Sequence, residues 1–367
     1  VGLPLEKQYF LDGTWHRWDS HFFDRHPVFC ITRQIIMEIL VPSRNSLSLI
    51  RALAVAGADS VYFGVRPDGV ATKGYSIYPT DFEFDLQSAK TAISILKDAG
   101  KRCFITLNEF YDDDQIQRVT DLACKLYDAG ADAMIVADAG FARDLTANRP
   151  GSEIHISILG NVINSDSALF WKKLGAKRVI LPRTLTAEQA VAIKVNTGLE
   201  IELFVYCPFC FHYQGYCRVS QHFFNEMCLR PCTNEYAIEN LDPKTKTPFQ
   251  SKMLNAYAAL PTLYSLGVDA IKVEGRQKSS RSVLKVLSIL RKAVDALKAG
   301  EPLPLVQNSL FFSDPAHSTP GFYMGPRPMN ETIVSDHSLK DTAISMAPYL
   351  YPKGIWYAMK WRRKRKG

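Results

Sequence analysis

The chain has 367 residues, of which 47% are hydrophobic and 22% charged, the composition of a soluble globular protein with a large core. No apolar run approaches the roughly 20 residues that a bilayer span needs, which excludes a transmembrane helix. The net charge is +7, but Lys360 and the run Arg362 to Lys366 hold most of that excess, so the body is nearly neutral. The tail is expected to be a solvated end, with contact to RNA or anionic lipid as the sharper alternative.

Val1 to Ile36 lacks the basic-then-apolar order of a signal peptide, and a cytoplasmic location is expected. This segment holds Trp15, His16, Trp18, His21, Phe22, Phe23 and His26 without a usable period and is read as an extension, possibly outside the fold. From Met37 the pattern becomes regular. An opening strand at Ile39 to Val41 precedes a recurring phrase in which a helical stretch closes on glycine and a β-branched, apolar strand follows. The copies are AGADSVYFG at Gly57, AGKRCFITLN at Gly100, AGADAMIVAD at Gly130, LGAKRVILPR at Gly175, TGLEIELFVY at Gly198 and LGVDAIKVEG at Gly267, with a weaker one at Gly151 leading into EIHISIL. Glycine suits the left-handed residue that ends a helix, and near-continuous apolar runs suit parallel strands covered on both faces.

Helical spacing fills the intervals, for example Leu47, Ile50, Leu53 and Ala54 before Gly57, and Ile116, Val119, Leu122, Ala123 and Leu126 before Gly130. Eight strands alternating with helices predict an α/β fold, a (β/α)8 TIM-type barrel over residues 37–299; a doubly wound open sheet is the rival. The interval from Gly198 to Gly267 is far longer than the others. It places a cysteine-rich insertion after strand seven, at the C-terminal face where barrels carry chemistry. The long stretch Arg66 to Asp85 after strand two is expected to cover the same face. Residues 300–367 form a C-terminal extension, in which the Gly321 and Gly325 turn pattern is placed across one end of the barrel.

The insertion carries Cys207, Cys210, Cys217, Cys228 and Cys232, spanning 207–232. With no secretory signal this cluster reads as a metal centre and not as a disulfide framework. Two ligand sets are open: Cys210, Cys217, Cys228 and Cys232 for an iron-sulfur cluster, or Cys207 with Cys210, Cys228 and Cys232 for zinc. Cys30, Cys103 and Cys124 are expected in the core.

The stretch ELFVYCPFCFHYQGYC, the phrase IKVEGRQKS at Ile271 to Ser279, GADSVYFG at Gly57, ADAMIVADAG at Ala131 and RVILPR at Arg178 together resemble the collagenase-like peptidase family, peptidase family U32, over about Met37 to Leu297. That family includes iron-sulfur proteins of RNA and ubiquinone hydroxylation. The resemblance implies a [4Fe-4S] cluster on Cys210, Cys217, Cys228 and Cys232, with Cys207 a neighbour at a position where relatives usually have glycine. It further implies oxygen-independent hydroxylation of an RNA base or a ubiquinone precursor, with a small dicarboxylate donor such as prephenate and a possible related partner subunit. A metal-dependent peptidase of collagenase type and a non-catalytic metal-binding partner subunit are the alternatives, although the chain has neither a His-Glu-x-x-His motif nor a Gly-x-Ser-x-Gly elbow.

A dicarboxylate calls for cations at strand ends. Lys272, Glu274 and Arg276 are the catalytic candidates, Lys272 and Glu274 being two apart on strand eight and so directed into the barrel. Either they act on substrate or they close the core as a buried ion pair. Arg183, Lys278 and Asn161 are the substrate-binding candidates, with Asn108, Glu109 and Asp138 weaker ones that caps and turns also explain. The aromatic residues Tyr206, Phe209, Phe211, Tyr213 and Tyr216 suit stacking on a base or shielding of a cluster. Ser157-Ile158-Leu159 and Pro42-Ser43-Arg44 replace the family's usual Ser-Val-Gln and Pro-Ala-Gly, which marks a divergent member.

Overall fold

The computed structural model describes residues 8–11, 14–17, 37–67, 82–210, 253–276, 278–306, 318–319 and 321–323. Cys217, Cys228, Cys232, most of the Arg66 to Asp85 stretch and the basic tail lie outside the described residues. The chain divides into two compact units, Val1–Ile36 and Met37–Gly367. In the first, Gln8–Leu11 and Thr14–Arg17 pair as an antiparallel hairpin.

The second unit contains eight parallel strands: β1 Glu38–Pro42, β2 Ser60–Gly64, β3 Arg102–Leu107, β4 Ala133–Val136, β5 Ile154–Ile156, β6 Ala176–Ile180, β7 Glu200–Pro208 and β8 Ala270–Val273. Each pairs with the next in chain order up to β7. β8 then pairs with β7 on one side and with β1 on the other, Ile271 lying opposite both Leu203 and Ile39, so the sheet closes. The fold is a (β/α)8 barrel, and the open-sheet rival is excluded by that double pairing.

The helices are α1 Leu47–Val55, α2 Leu86–Asp98, α3 Asp113–Asp128, α4 Ala139–Asn148, α5 Ser165–Lys173, α6 Ala187–Thr197, the short α7 Leu260–Ser265 and α8 Ser280–Lys298. Their boundaries have local causes. The side chains of Ser46, Asp85, Asp138, Asn164, Thr186 and Ser279 each accept a backbone N–H of the first turn, satisfying donors that a helix cannot. The glycines that open the strand phrases all have positive φ, from 66° at Gly100 to 102° at Gly130, the left-handed geometry that lets the chain leave a helix and enter the barrel wall.

Between wall and helices lies an apolar layer that includes Ile50, Leu53, Ile93, Leu96, Val119, Leu126, Leu145, Ile193, Leu263, Leu287 and Leu290, all buried. Each such side chain contributes about 1.5–3 kcal/mol on leaving water, so this layer carries the stability. The barrel interior is different, because it holds buried charge. Arg178 on β6 contacts Glu38 at 2.7 Å, Glu200 at 2.8 Å and Glu202 at 3.2 Å. Arg102 extends this set to Glu153, which also meets His155 at 2.8 Å. These ion pairs sit at the N-terminal end of the barrel and set off the opposite end, where the strands release their functional side chains.

Candidate functional site

The β7 strand runs on past the barrel rim because a short segment, Met253–Asn255, pairs with it antiparallel, Leu254 opposite Cys207. Ser318 and Thr319 of the C-terminal extension add to that segment, and Tyr323 is fully buried, so part of the extension packs at this end of the barrel. Cys207 therefore lies within a paired strand, whereas Cys210 stands just beyond it.

Arg183, released by β6 after Pro182, reaches over the end of β7. Its Nε donates to Cys207 Sγ at 2.9 Å, its guanidinium lies 4.3 Å from the centre of the Phe204 ring, and it forms an ion pair with Glu274. Burial opposes this charge; Cys207, Glu274 and Cys210 around it more than restore it. The Cys207 thiol is itself pushed up to about 12, mainly by burial. Glu274 is fixed at its backbone as well, its N–H donating to Tyr206 O at 2.9 Å.

Lys272 and Glu274 both face the interior, as their spacing predicts, yet they do not pair with each other. Lys272 Nζ donates to Glu202 Oε1 at 2.8 Å and lies 4.0 Å from the centre of the Tyr62 ring, while Glu274 goes to Arg183. Of the two readings, the buried Lys272–Glu274 ion pair is replaced by two separate pairs, because β7 stands beside β8 and presents Glu202 to Lys272. Burial holds the Lys272 ammonium below its usual range, against the pull of Glu202; burial also works on Glu202, but Lys272 and Arg178 together lower its carboxyl.

These side chains bound a cavity of about 40 Å³, lined by Tyr62, Thr106, Asn108, Ser157, Phe204, Lys272, Glu274 and Arg276 with Ile135, Ile158 and Ile180. Asn108 Nδ2 donates to Ser157 Oγ at 2.9 Å, and Thr106 Oγ1 is buried with no hydrogen-bond partner among the described residues. Arg276 and Glu83 crowd Gly64, where a Cβ would lie 2.9 Å from one and 2.8 Å from the other. The site thus offers cationic, hydroxyl and amide groups against an apolar wall, the arrangement that binds a small polar anion.

The remaining candidates sit apart. Lys278 lies 5.3 Å from the centre of the Tyr206 ring, outside the cavity lining. Asn161 adopts a left-handed φ of 48° and its Nδ2 donates to Leu159 O, so it closes the turn Ile158–Gly160 and does not line the cavity. Asp138 caps α4. Tyr62, Thr106, Glu202 and Phe204 are participants that the sequence reading missed. The signal for Glu202 was present in Glu200-Ile201-Glu202-Leu203, an alternation that puts both carboxylates on one face of the strand. Among the described residues no group of three or more His, Cys, Asp or Glu side chains is arranged to hold a metal, and no helix is long and apolar enough to cross a membrane.

Comparison with known proteins gives relatives with different names. The chain is 26% identical to the tRNA hydroxylation protein P1 of Bacillus subtilis (strain 168), covering 83% of this chain and 75% of that protein. It is 27% identical to the 23S rRNA 5-hydroxycytidine C2501 synthase of Escherichia coli (strain K12), over 71% of this chain and 40% of that protein. It is 24% identical to a protein named Collagenase from Porphyromonas gingivalis, over 79% and 74%. The model of Peptidase family U32 matches residues 45–332, which takes in the barrel mouth and all four expected cluster cysteines, and the chain belongs to that family.

Proposed function

We propose that this protein takes part in oxygen-independent hydroxylation of an RNA base, with a [4Fe-4S] cluster held by Cys210, Cys217, Cys228 and Cys232. The observation that carries this reading is the convergence of Lys272, Glu274 and Arg276 with Arg183 at the barrel mouth, next to Cys210. Relatives named for tRNA and 23S rRNA modification favour RNA over a ubiquinone precursor as acceptor.

Four thiols of this spacing support a cluster, and Cys210 is the one of them that lies among the described residues. Cys210 stands two residues beyond the end of β7, beside the buried Arg183 guanidinium. Cys207 suits the zinc alternative less well, since its sulfur lies inside a paired strand and accepts from Arg183. When bound, such a cluster supplies one-electron chemistry. The chain's own groups have separate tasks. Lys272 and Arg276 would bind the carboxylates of a small dicarboxylate such as prephenate, Thr106 Oγ1 and Asn108 would orient it, and the Arg183–Glu274 pair fixes the rim beside Cys207.

Mass spectrometry of nucleosides from tRNA and rRNA, compared between a deletion strain and its complemented parent, tests the reading. Loss of a hydroxylated pyrimidine, restored by wild type and not by Lys272→Met, is expected; unchanged profiles in both RNA pools would sink it. The relative named Collagenase supports a second reading, a metal-dependent peptidase. Gelatin cleavage by the purified chain, lost in Cys210→Ala, would favour that reading over the first.

A further inference from the structure

Charge is unevenly distributed around the barrel. α8 carries Arg281, Lys285, Arg291, Lys292 and Lys298 against a single acid, Asp295. That acid is engaged, because Arg291 holds Asp295 at 2.6 Å as well as Asp59 at 3.1 Å. No other helix carries more than two cations, and α7 carries none. α3 has Asp113, Asp114, Asp121 and Asp128 against Arg118 and Lys125, and α6 has Glu188 against Lys194, which is tied to Asp269.

Arg281, Lys285, Ser288 and Lys292 follow one another at spacings of four, three and four, which aligns them on one face of the helix. All four are exposed, and none of the three cations forms an ion pair among the described residues. At 1.5 Å of rise per residue the stripe runs for roughly 16 Å. No large apolar side chain interrupts its exposed face. Arg51 on the adjoining α1 is exposed too, and Arg44 reaches Ser280 Oγ at 3.5 Å, so basic groups flank the start of the stripe. That start follows the site closely in the chain, since Arg276 lines the cavity and α8 begins four residues later at Ser280.

An unpaired cationic stripe without apolar anchors is complementary to a polyanionic backbone and poorly suited to insertion among lipids. We infer that the exposed face of α8, led by Arg281, Lys285 and Lys292, binds the sugar-phosphate backbone of the acceptor RNA and delivers a nearby base to the barrel mouth. The inference rests on the RNA reading above and adds the surface that holds the acceptor.

The test uses the full chain and a fluorescein-labelled, unmodified tRNA transcript, with anisotropy titrations at several potassium chloride concentrations. The triple variant Arg281→Glu, Lys285→Glu, Lys292→Glu is compared with Lys90→Glu, Lys125→Glu, Lys173→Glu, which changes net charge equally on other sectors. The α8 variant is expected to bind at least about tenfold more weakly, with a salt slope shallower by about two, while the control stays within about threefold of wild type. The corresponding glutamine triple gives the same reading if the reversed one does not fold. Equal weakening by both glutamate triples overturns the inference, since net charge alone then explains binding. Wild-type RNA binding that the α8 variants leave unchanged removes the surface and leaves the RNA reading standing. No wild-type binding to tRNA, with binding to phosphatidylserine vesicles lost in the α8 triple, overturns both.

Discussion

Arg183, at the end of β6, forms an ion pair with Glu274, at the end of β8, so the two side chains span the end of β7 that lies between them. Both are largely withdrawn from water, at 3% and 13% side-chain exposure. Removing one member leaves the other charge buried without its partner, a change that usually costs about 3–5 kcal/mol. Because Arg183 keeps its contact with Cys207, Glu274→Ala is expected at the low end, about 3 kcal/mol, read from the urea midpoint. A shift within experimental error would show that the pair contributes nothing to the rim.

Glu202 is shared, with Arg178 on one oxygen and Lys272 on the other. Glu202→Leu strands Lys272 and takes one of three carboxylates from Arg178, so it should cost more than Lys272→Met, after which Glu202 still has Arg178. The double variant should recover at least about 1 kcal/mol relative to the sum of the two single changes, because the groups act as one unit. Strict additivity in chemical denaturation would contradict this arrangement.

His155 is buried and its pKa is lowered, chiefly by burial and then by Arg178. The unfolded chain therefore takes up its proton first, near pH 6.5, and folded stability falls as the pH drops below that value. Glu202, whose carboxyl is also lowered, adds a loss of the same sign as pH falls below about 4.3. Urea midpoints of wild type should thus decline between pH 7 and 5.5, and those of His155→Gln should decline less. Parallel declines would mean that His155 is not the group responsible.

Two glycines of the helix ends should respond differently to alanine. Gly151 has a φ of 83° with nothing near its missing Cβ, so Gly151→Ala costs about 1 kcal/mol from conformation alone. At Gly175, φ is 95° and a Cβ would lie 2.4 Å from Thr146 Oγ1, whose hydroxyl donates to Leu174 O. Gly175→Ala should cost about 3 kcal/mol, conformation plus displacement of Thr146. Thermal unfolding of the two variants side by side checks the order.

Anaerobic purification with iron and sulfide analysis separates the two central cysteines. Cys210→Ala is expected to lose the iron and the visible absorption, and Cys207→Ala to keep both at about four irons per chain. Stoichiometric zinc without sulfide in the wild type would overturn the cluster assignment.

The fold was legible because its signals are local. Each strand phrase opens on a glycine whose left-handed φ depends on a few neighbouring residues, and every helix but the short α7 starts at a polar cap. The direction of Lys272 and Glu274 was legible for the same reason, since alternation along one strand fixes it. Their partners were not, because pairing depends on the register between β7 and β8, set by a slip between Lys272 and Val273 that no single segment reveals. Asn161 was misplaced for a related reason: a short amide after a strand serves a turn as readily as a ligand, and only its bond to Leu159 O decides.

The strand that closes the cylinder is the same one that supplies Lys272 to Glu202 and Glu274 to Arg183. Without β8 in its place, Glu202 would keep Arg178 alone and Arg183 would lack its carboxylate. Closure of the barrel and assembly of its binding groups are therefore one and the same contact, so a change that loosens the β8 seam also loosens the site.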